Sequence, residues 1–159
     1  MGKIIIREAI IEDAALLLQF IRALAEYEHL ESEVEATEEG LRQSVFIDKG
    51  AEALIAEYEG EAAGFALFFH NYSTFKGKRG IYLEDLFVKP DLRGKGIGRA
   101  LLQKVGGIAA RRGCGRFEWA CLDWNTPSIA FYRSIGAVPL SDWTIYRVTG
   151  DNLAGFSHV

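Results

Sequence analysis

Between the apolar run Ile81 to Val88 and a helix-periodic run lies Arg93-Gly94-Lys95-Gly96-Ile97-Gly98, a set of residues suited to holding a polyanion. Glycines at 94, 96 and 98 remove the side chains that would keep an anion away from the backbone N–H groups. A helix beginning here adds its unpaired donors and the positive end of its dipole. Arg93 and Lys95 bring two formal charges to the same place, so the expected guest carries several phosphates. A glycine-rich turn with basic residues facing water is the alternative that the run alone leaves open.

What the run lacks narrows the guest. A Walker A loop ends in Gly-Lys-Ser/Thr, so that lysine reaches the terminal phosphates and the hydroxyl holds magnesium; no such ending is present. A dinucleotide fingerprint needs G-x-G-x-x-G and a strand with an acidic end about 20 residues on. Here the spacing is G-x-G-x-G, and that strand is missing.

The elements that must position the cradle can be read from periodicity. Lys3 to Ala9 reads as a strand, followed by an amphipathic helix with Leu16, Leu17, Phe20, Ile21 and Leu24 on one face. Thr37 is placed to cap a short helix carrying Leu41, Val45 and Phe46. Ala53 to Tyr58 and Ala63 to Phe69, joined by Glu59-Gly60-Glu61, read as a hairpin. Ile81 to Val88 is the fourth strand, Ile97 to Arg111 a long helix ended by Gly113, and Phe117 to Leu122 the fifth strand. Thr126 and Pro127 start a helix reaching Ser134, as cap and first position, and Thr144 to Val148 is a last strand. Such alternation predicts an α/β (α+β) fold, a mixed sheet with helices on both faces.

Bulk properties fit a small enzyme. The 159 residues are expected to form a single domain, 1–159, and 49% hydrophobic content argues against disorder. A net charge of −4 gives no support to nucleic-acid binding. Ile4-Ile5-Ile6 is cut short by Arg7 and Glu8, so neither a signal peptide nor a membrane span is expected, and the location expected is cytoplasmic. Cys114 and Cys121, the only cysteines, read as reduced packing residues, and no metal site is expected.

Arg93-x-x-Gly96-x-Gly98 after a strand and Pro90 resembles the pyrophosphate-binding motif of the GNAT superfamily of N-acetyltransferases, whose cofactor is acetyl-coenzyme A. The order of elements is also similar to that family's. Within it, Leu24-Ala25-Glu26-Tyr27-Glu28, Tyr82 to Val88, Asp123 to Tyr132 and Gly136-Ala137 resemble the diamine acetyltransferase branch, which includes spermidine/spermine and thialysine N-acetyltransferases. The resemblance covers residues 3 to about 149.

The resemblance implies a mostly antiparallel sheet whose fourth and fifth strands splay, with pantetheine entering the gap. Leu86, Phe87 and Val88 would pair with its amides, and Arg93 to Gly98 with Arg99 would hold the pyrophosphate. Asn125 and Ser128, at the start of the later helix, complete the cofactor set; on its residue type alone, Asn125 equally suits a helix-start turn. Tyr132 is implied as the acid that protonates the departing thiolate, since a phenol of pKa about 10 can supply a thiolate whose conjugate acid is near 8.5.

An amine with a lysine-like pKa is roughly 99.9% protonated at pH 7, so something must take its proton. Alternation sets Leu83 and Asp85 on the far face and leaves Glu84 as the lone carboxylate toward the cleft. Glu84 is therefore the expected base, acting through water, with Asp85 as runner-up. A backbone N–H near Leu86 would stabilise the tetrahedral intermediate.

For substrate binding, the resemblance implies Tyr27, Glu28, Glu118, Trp119 and Ala120, to which the carboxylates Glu84 and Asp85 of the fourth strand are added. The acidic stretch Glu26 to Glu39 would attract a cation. Polyamine-acetylating members carry an acidic residue and a tryptophan where this chain has Ser73 and Phe75. That departure favours thialysine, lysine-like amino acids or short diamines over spermine. A homodimer is expected from the resemblance. The alternatives are another amine acceptor (an antibiotic, an amino acid or a protein N-terminus) or a noncatalytic acyl-CoA-binding module, which would be expected to lack Tyr132 or the cleft carboxylate.

Overall fold

Strand-forming residues in the first 120 positions pair into one five-stranded sheet of order β1-β2-β3-β4-β5 in the computed structural model, which describes residues 2–158. The strands are β1 (Ile4–Glu8), β2 (Glu52–Tyr58), β3 (Glu61–Ser73), β4 (Lys78–Val88) and β5 (Phe117–Trp119). The first four are antiparallel neighbours and β5 runs parallel to β4, giving the mixed, mostly antiparallel sheet expected.

Helix α1 (Ala14–Tyr27) and helix α2 (Glu38–Leu41), which continues into a π-helical turn over Arg42–Ile47, cover one face. Leu17, Leu18 and Phe20 pack there against Ile55, Phe65 and Phe87, with the Phe20 and Phe65 rings stacked at 5.5 Å. Arg7 anchors the start of α1 through both oxygens of Asp13, at 2.7 and 2.9 Å, and Asp13 also accepts from the Ile10 N–H. Thr37 caps α2 as expected, its hydroxyl accepting from the Gly40 N–H at 3.0 Å. Helix α3 (Ile97–Arg111) serves the other face, turning Ile97, Leu101, Leu102 and Val105 inward.

Four expectations need correcting. The β3–β4 hairpin is longer than the apolar runs suggest, closing at a turn in which Gly77 (φ 63°) donates to the Thr74 carbonyl; polar residues such as Asn71, Lys78 and Arg79 hide it from a hydrophobicity pattern. β5 ends at Trp119 rather than Leu122, because its pairing with β4 stops at Leu83. Asn125, not Thr126, is the N-cap of α4 (Thr126–Ser134). Thr144 to Val148 is not a strand: among the described residues no segment pairs with it, and a strand exists only through pairing.

By internal contacts the chain divides into two compact units, one ending at Ala120 and one running from Cys121. The second contains α4 and α5 (Gly150–Gly155). Each is described by itself.

Gly64 shows how closely β3 and β4 approach. A Cβ there would lie 2.2 Å from the Phe87 carbonyl oxygen and 3.1 Å from the Val88 Cα, both backbone atoms that can yield only by separating the strands. Gly64→Ala is expected to cost about 2 kcal/mol or more in urea unfolding. A wild-type midpoint would show that the strands part freely.

Candidate active site

The register between β3 and β4 contains one irregularity, and the site is built on it. Leu83 pairs with Phe68 and Asp85 with Leu67, so Glu84 is an extra residue, a β-bulge. Phe68 and Leu67 are consecutive and face opposite ways, and each partner shares the face of the residue it pairs with. Leu83 therefore faces α3 while Asp85 faces α1. Glu84 follows Leu83 by ordinary alternation and leans the same way as Asp85. The expectation that Glu84 stands alone and Asp85 points away is overturned, because the bulge resets the alternation that it assumed.

Asp85 meets an acidic neighbourhood. Together with Ile21, Leu24, Ala25, Glu28 and Val34 it lines a cavity of about 280 Å³ under the end of α1. Burial, then the charges of Glu84 and Glu28, push the Asp85 carboxyl up to about 7. Burial also raises Glu28 above the usual carboxylate range. Glu84 is exposed. Tyr27 is the last residue of α1, and its ring lies under the Arg93 guanidinium.

β4 and β5 part where the bulge sits. Their ladder runs Ile81↔Phe117, Tyr82↔Glu118, Leu83↔Trp119 and ends. From Asp85 to Val88, β4 is paired with β3 on one edge, and no strand of the described residues pairs with the other. The backbone edge along Leu86, Phe87 and Val88, the segment expected to meet pantetheine, is thus left without a strand partner on that side, and the Val88 carbonyl accepts from Arg93 Nε at 2.9 Å.

The anion cradle follows directly. The first helical hydrogen bond of α3 runs from the Ala100 N–H to the Gly96 carbonyl at 3.0 Å, so the N–H groups ahead of it point out of the helix end. Gly94 and Gly96 have φ of 79° and 87°, a region that L side chains rarely adopt, and no atom lies within 4 Å of where a Cβ would be. Open space above outward N–H groups fits a pyrophosphate. Ile97 contributes backbone only, its side chain being buried in the core. The two cations stand beside the cradle rather than over it: the Arg93 guanidinium lies over the Tyr27 ring, and the Lys95 ammonium is 5.6 Å from the Tyr58 ring centroid. Arg99, in the first turn, is exposed.

The expected residues of β5 divide between faces. Glu118 shares the face of Tyr82, where it accepts from Asn71 Nδ2 at 3.2 Å and pairs with Arg116 at 2.9 Å, so its charge is already compensated. Trp119 stacks with Phe117 at 4.9 Å, and Phe117 lies against Gly106 of α3. Alternation thus keeps Trp119 on the α3 side, away from the carboxylates, and Ala120 is exposed. Ser73 is buried and accepts from the Lys76 N–H, while Phe75 stands fully exposed at the tip of the β3–β4 hairpin.

In the second unit, Asn125 is buried and its carbonyl oxygen caps α4 by accepting from the Ser128 N–H at 3.4 Å. Residue type had left cap and ligand contact open; the cap is observed. Tyr132 lies within α4, its ring 5.6 Å from that of Phe131. Sequence reading missed the bulge and the Arg93–Tyr27 stack. Neither has a local signal, since both depend on partners distant in the chain. Among the described residues no cluster of His, Cys, Asp and Glu could hold a metal ion.

The profile of the Acetyltransferase (GNAT) family matches residues 16–137. The chain is 39% identical over 163 residues to the thialysine N-epsilon-acetyltransferase of Sus scrofa, with 95% of each chain covered. It is 31% identical over 159 residues to the spermidine/spermine N(1)-acetyltransferase-like protein 1 of Homo sapiens, covering 93% of this chain and 23% of that one. A solved integron cassette protein from the mobile metagenome of V. cholerae shares the fold at a TM-score of 0.80, with 27% identity and 98% of both chains covered.

The raised Asp85 carboxyl has a consequence for stability. Its charged form is disfavoured in the folded protein, so folding loses free energy as pH rises from the ordinary value of 3.8 to about 7. The loss is at most about 4 kcal/mol, three pH units at roughly 1.4 each. Asp85→Asn should resist urea better than wild type at pH 8, with the advantage gone below pH 4. An advantage that persists at pH 4 would assign it to packing rather than charge.

Proposed function

This chain belongs to the acetyltransferase (GNAT) family, in its diamine branch, and we propose that it moves an acetyl group from acetyl-CoA to a primary amine of a small cationic substrate. The substrate class we assign is a thialysine- or lysine-like amino acid or a short diamine. The cavity of about 280 Å³ carries this reading: it sets the carboxylates of Glu28 and Asp85 beside the apolar walls of Ile21, Leu24 and Val34. Such a lining suits an ammonium on a short aliphatic stem, and the cation would offset the mutual repulsion of the carboxylates. The name of the Sus scrofa relative points the same way.

Acetyl-CoA supplies the acyl thioester when bound. The N–H groups of the Arg93 to Gly98 loop and the first turn of α3, including Arg99, would hold its pyrophosphate, and the open edge of Leu86 to Val88 its amides. Asn125 and Ser128 would add contacts from α4. Tyr27, Glu28, Glu84 and Asp85 would recognise the amine; Glu118, Trp119 and Ala120 stay in the reading as outer contacts of β5.

We assign proton acceptance to the Glu84–Asp85 pair. A carboxyl pushed up to about 7 is a far better base at neutral pH than an ordinary one, and exposed Glu84 can relay through water. The Tyr132 hydroxyl would donate to the departing thiolate. The reading takes residues 1–159 as one catalytic domain in a cytoplasmic homodimer. Among the described residues no helix is long and apolar enough to cross a membrane.

Thiol release from acetyl-CoA against a panel of thialysine, lysine, ornithine, putrescine, spermine and an aminoglycoside tests the proposal. The highest kcat/KM should fall on the short amines; turnover confined to the aminoglycoside would overturn the substrate class. A pH–rate profile of Glu84→Gln then divides the pair. If Asp85 takes the proton, the acid limb moves to lower pH because a repelling charge has gone; if Glu84 does, activity falls at neutral pH and recovers as free amine accumulates. Gly96→Asp should abolish calorimetric binding of coenzyme A, a carboxylate then filling the anion site, and unchanged affinity would move the pyrophosphate elsewhere.

A further inference from the structure

Arg93 does not extend over the glycines that follow it. Its Nε donates to the Val88 carbonyl at 2.9 Å, and its guanidinium carbon lies 4.4 Å from the Tyr27 ring centroid and 5.5 Å from that of Phe87. One planar group therefore ties three elements together: the last residues of β4, the end of α1 and the start of the cradle. The chain then passes through Gly94 and Gly96, both at positive φ and neither with a side chain to anchor it. Lys95 between them makes a longer contact, its ammonium lying 5.6 Å from the Tyr58 ring centroid. After the turn Pro90–Leu92, whose backbone bonds from Leu92 to Lys89 and from Arg93 to Pro90 carry the chain away from β4, Arg93 is the side chain that anchors the start of the glycine loop.

We propose that Tyr27 is a positioning residue for the phosphate cradle, its ring being the platform that holds Arg93 and, through Arg93, the loop 93–96. This goes beyond the amine-recognition role and makes a substitution at the end of α1 felt by the cofactor. It rests on the acetyl-CoA reading only in taking coenzyme A as the ligand. A guanidinium over an aromatic face gains from the ring quadrupole, and lysine at the same place keeps the charge but loses the planar stack and the Nε donor.

The test is calorimetric titration of free coenzyme A into the whole protein with no amine present. Tyr27→Leu should raise Kd about two- to fivefold, the range expected for a partly exposed cation–π contact. Tyr27→Phe keeps the ring and should stay within twofold of wild type. Arg93→Lys, which removes the Nε bond to Val88 as well as the stack, should lose at least as much as Tyr27→Leu, and the double variant should bind no more weakly than Arg93→Lys alone, as for two halves of one interaction. Wild-type affinity in Tyr27→Leu, or losses that multiply in the double variant, would overturn the proposal. If Tyr27→Leu does not fold, Arg93→Lys decides: wild-type affinity there would mean that charge alone matters. Wild-type protein that binds no coenzyme A would sink the acetyl-CoA reading itself, a distinct outcome from binding that the variants leave unchanged.

Discussion

An extra residue in β4 governs the geometry around it. By placing Glu84 opposite no residue of β3, the bulge turns Asp85 onto the α1 face and sends β4 away from β5 after three paired residues. A regular strand would have buried Asp85 among the α3 contacts and carried the ladder onward, leaving neither an open edge nor paired carboxylates. Bulges bend a strand and increase its twist, so the opening of the sheet and the re-aiming of the side chain share one cause.

The electrostatics follow from that placement. Asp85 and Glu28 line a partly apolar cavity, and exposed Glu84 adds a further like charge within range of Asp85. No cation among their described contacts compensates Asp85, in contrast to Asp13, which Arg7 holds below the ordinary carboxylate range, and to Glu118, paired with Arg116. The fold neutralises its structural carboxylates and leaves these unneutralised. A site that binds a cation gains affinity by carrying such stored repulsion, at a cost in stability.

The two ends of the proposed active centre also share a framework. α1 ends in Tyr27, next to Glu28 at the cavity, and the Tyr27 ring lies under the arginine that starts the glycine loop. Because the loop is glycine-rich, its backbone is open to an anion but has little to fix it. The arginine and its aromatic platform supply that constraint from outside the loop.

Much of the fold was legible before any coordinate. The period of Leu17, Phe20 and Leu24 gave α1, that of Ile97, Leu101 and Val105 gave α3, and the Glu59-Gly60-Glu61 turn gave the β2–β3 hairpin, because these patterns are local and repeat at the period of the backbone. The cradle was legible for the same reason, as three glycines at a helix start act through their own backbone. The family followed from motifs scattered over the chain but each contiguous in it. What the sequence could not determine was register. Whether Asp85 faces α1 or α3 depends on which residue of β3 it pairs with, and only the assembled sheet selects that. The same holds for Arg93, whose charge was evident but whose partner lies 66 positions earlier in the chain. Thr144 to Val148 shows the limit from the other side: β-forming residues are present, but a strand needs a neighbour. Local chemistry is written in the residues, whereas the direction of a side chain across a sheet is decided by pairing over distances that no local pattern spans.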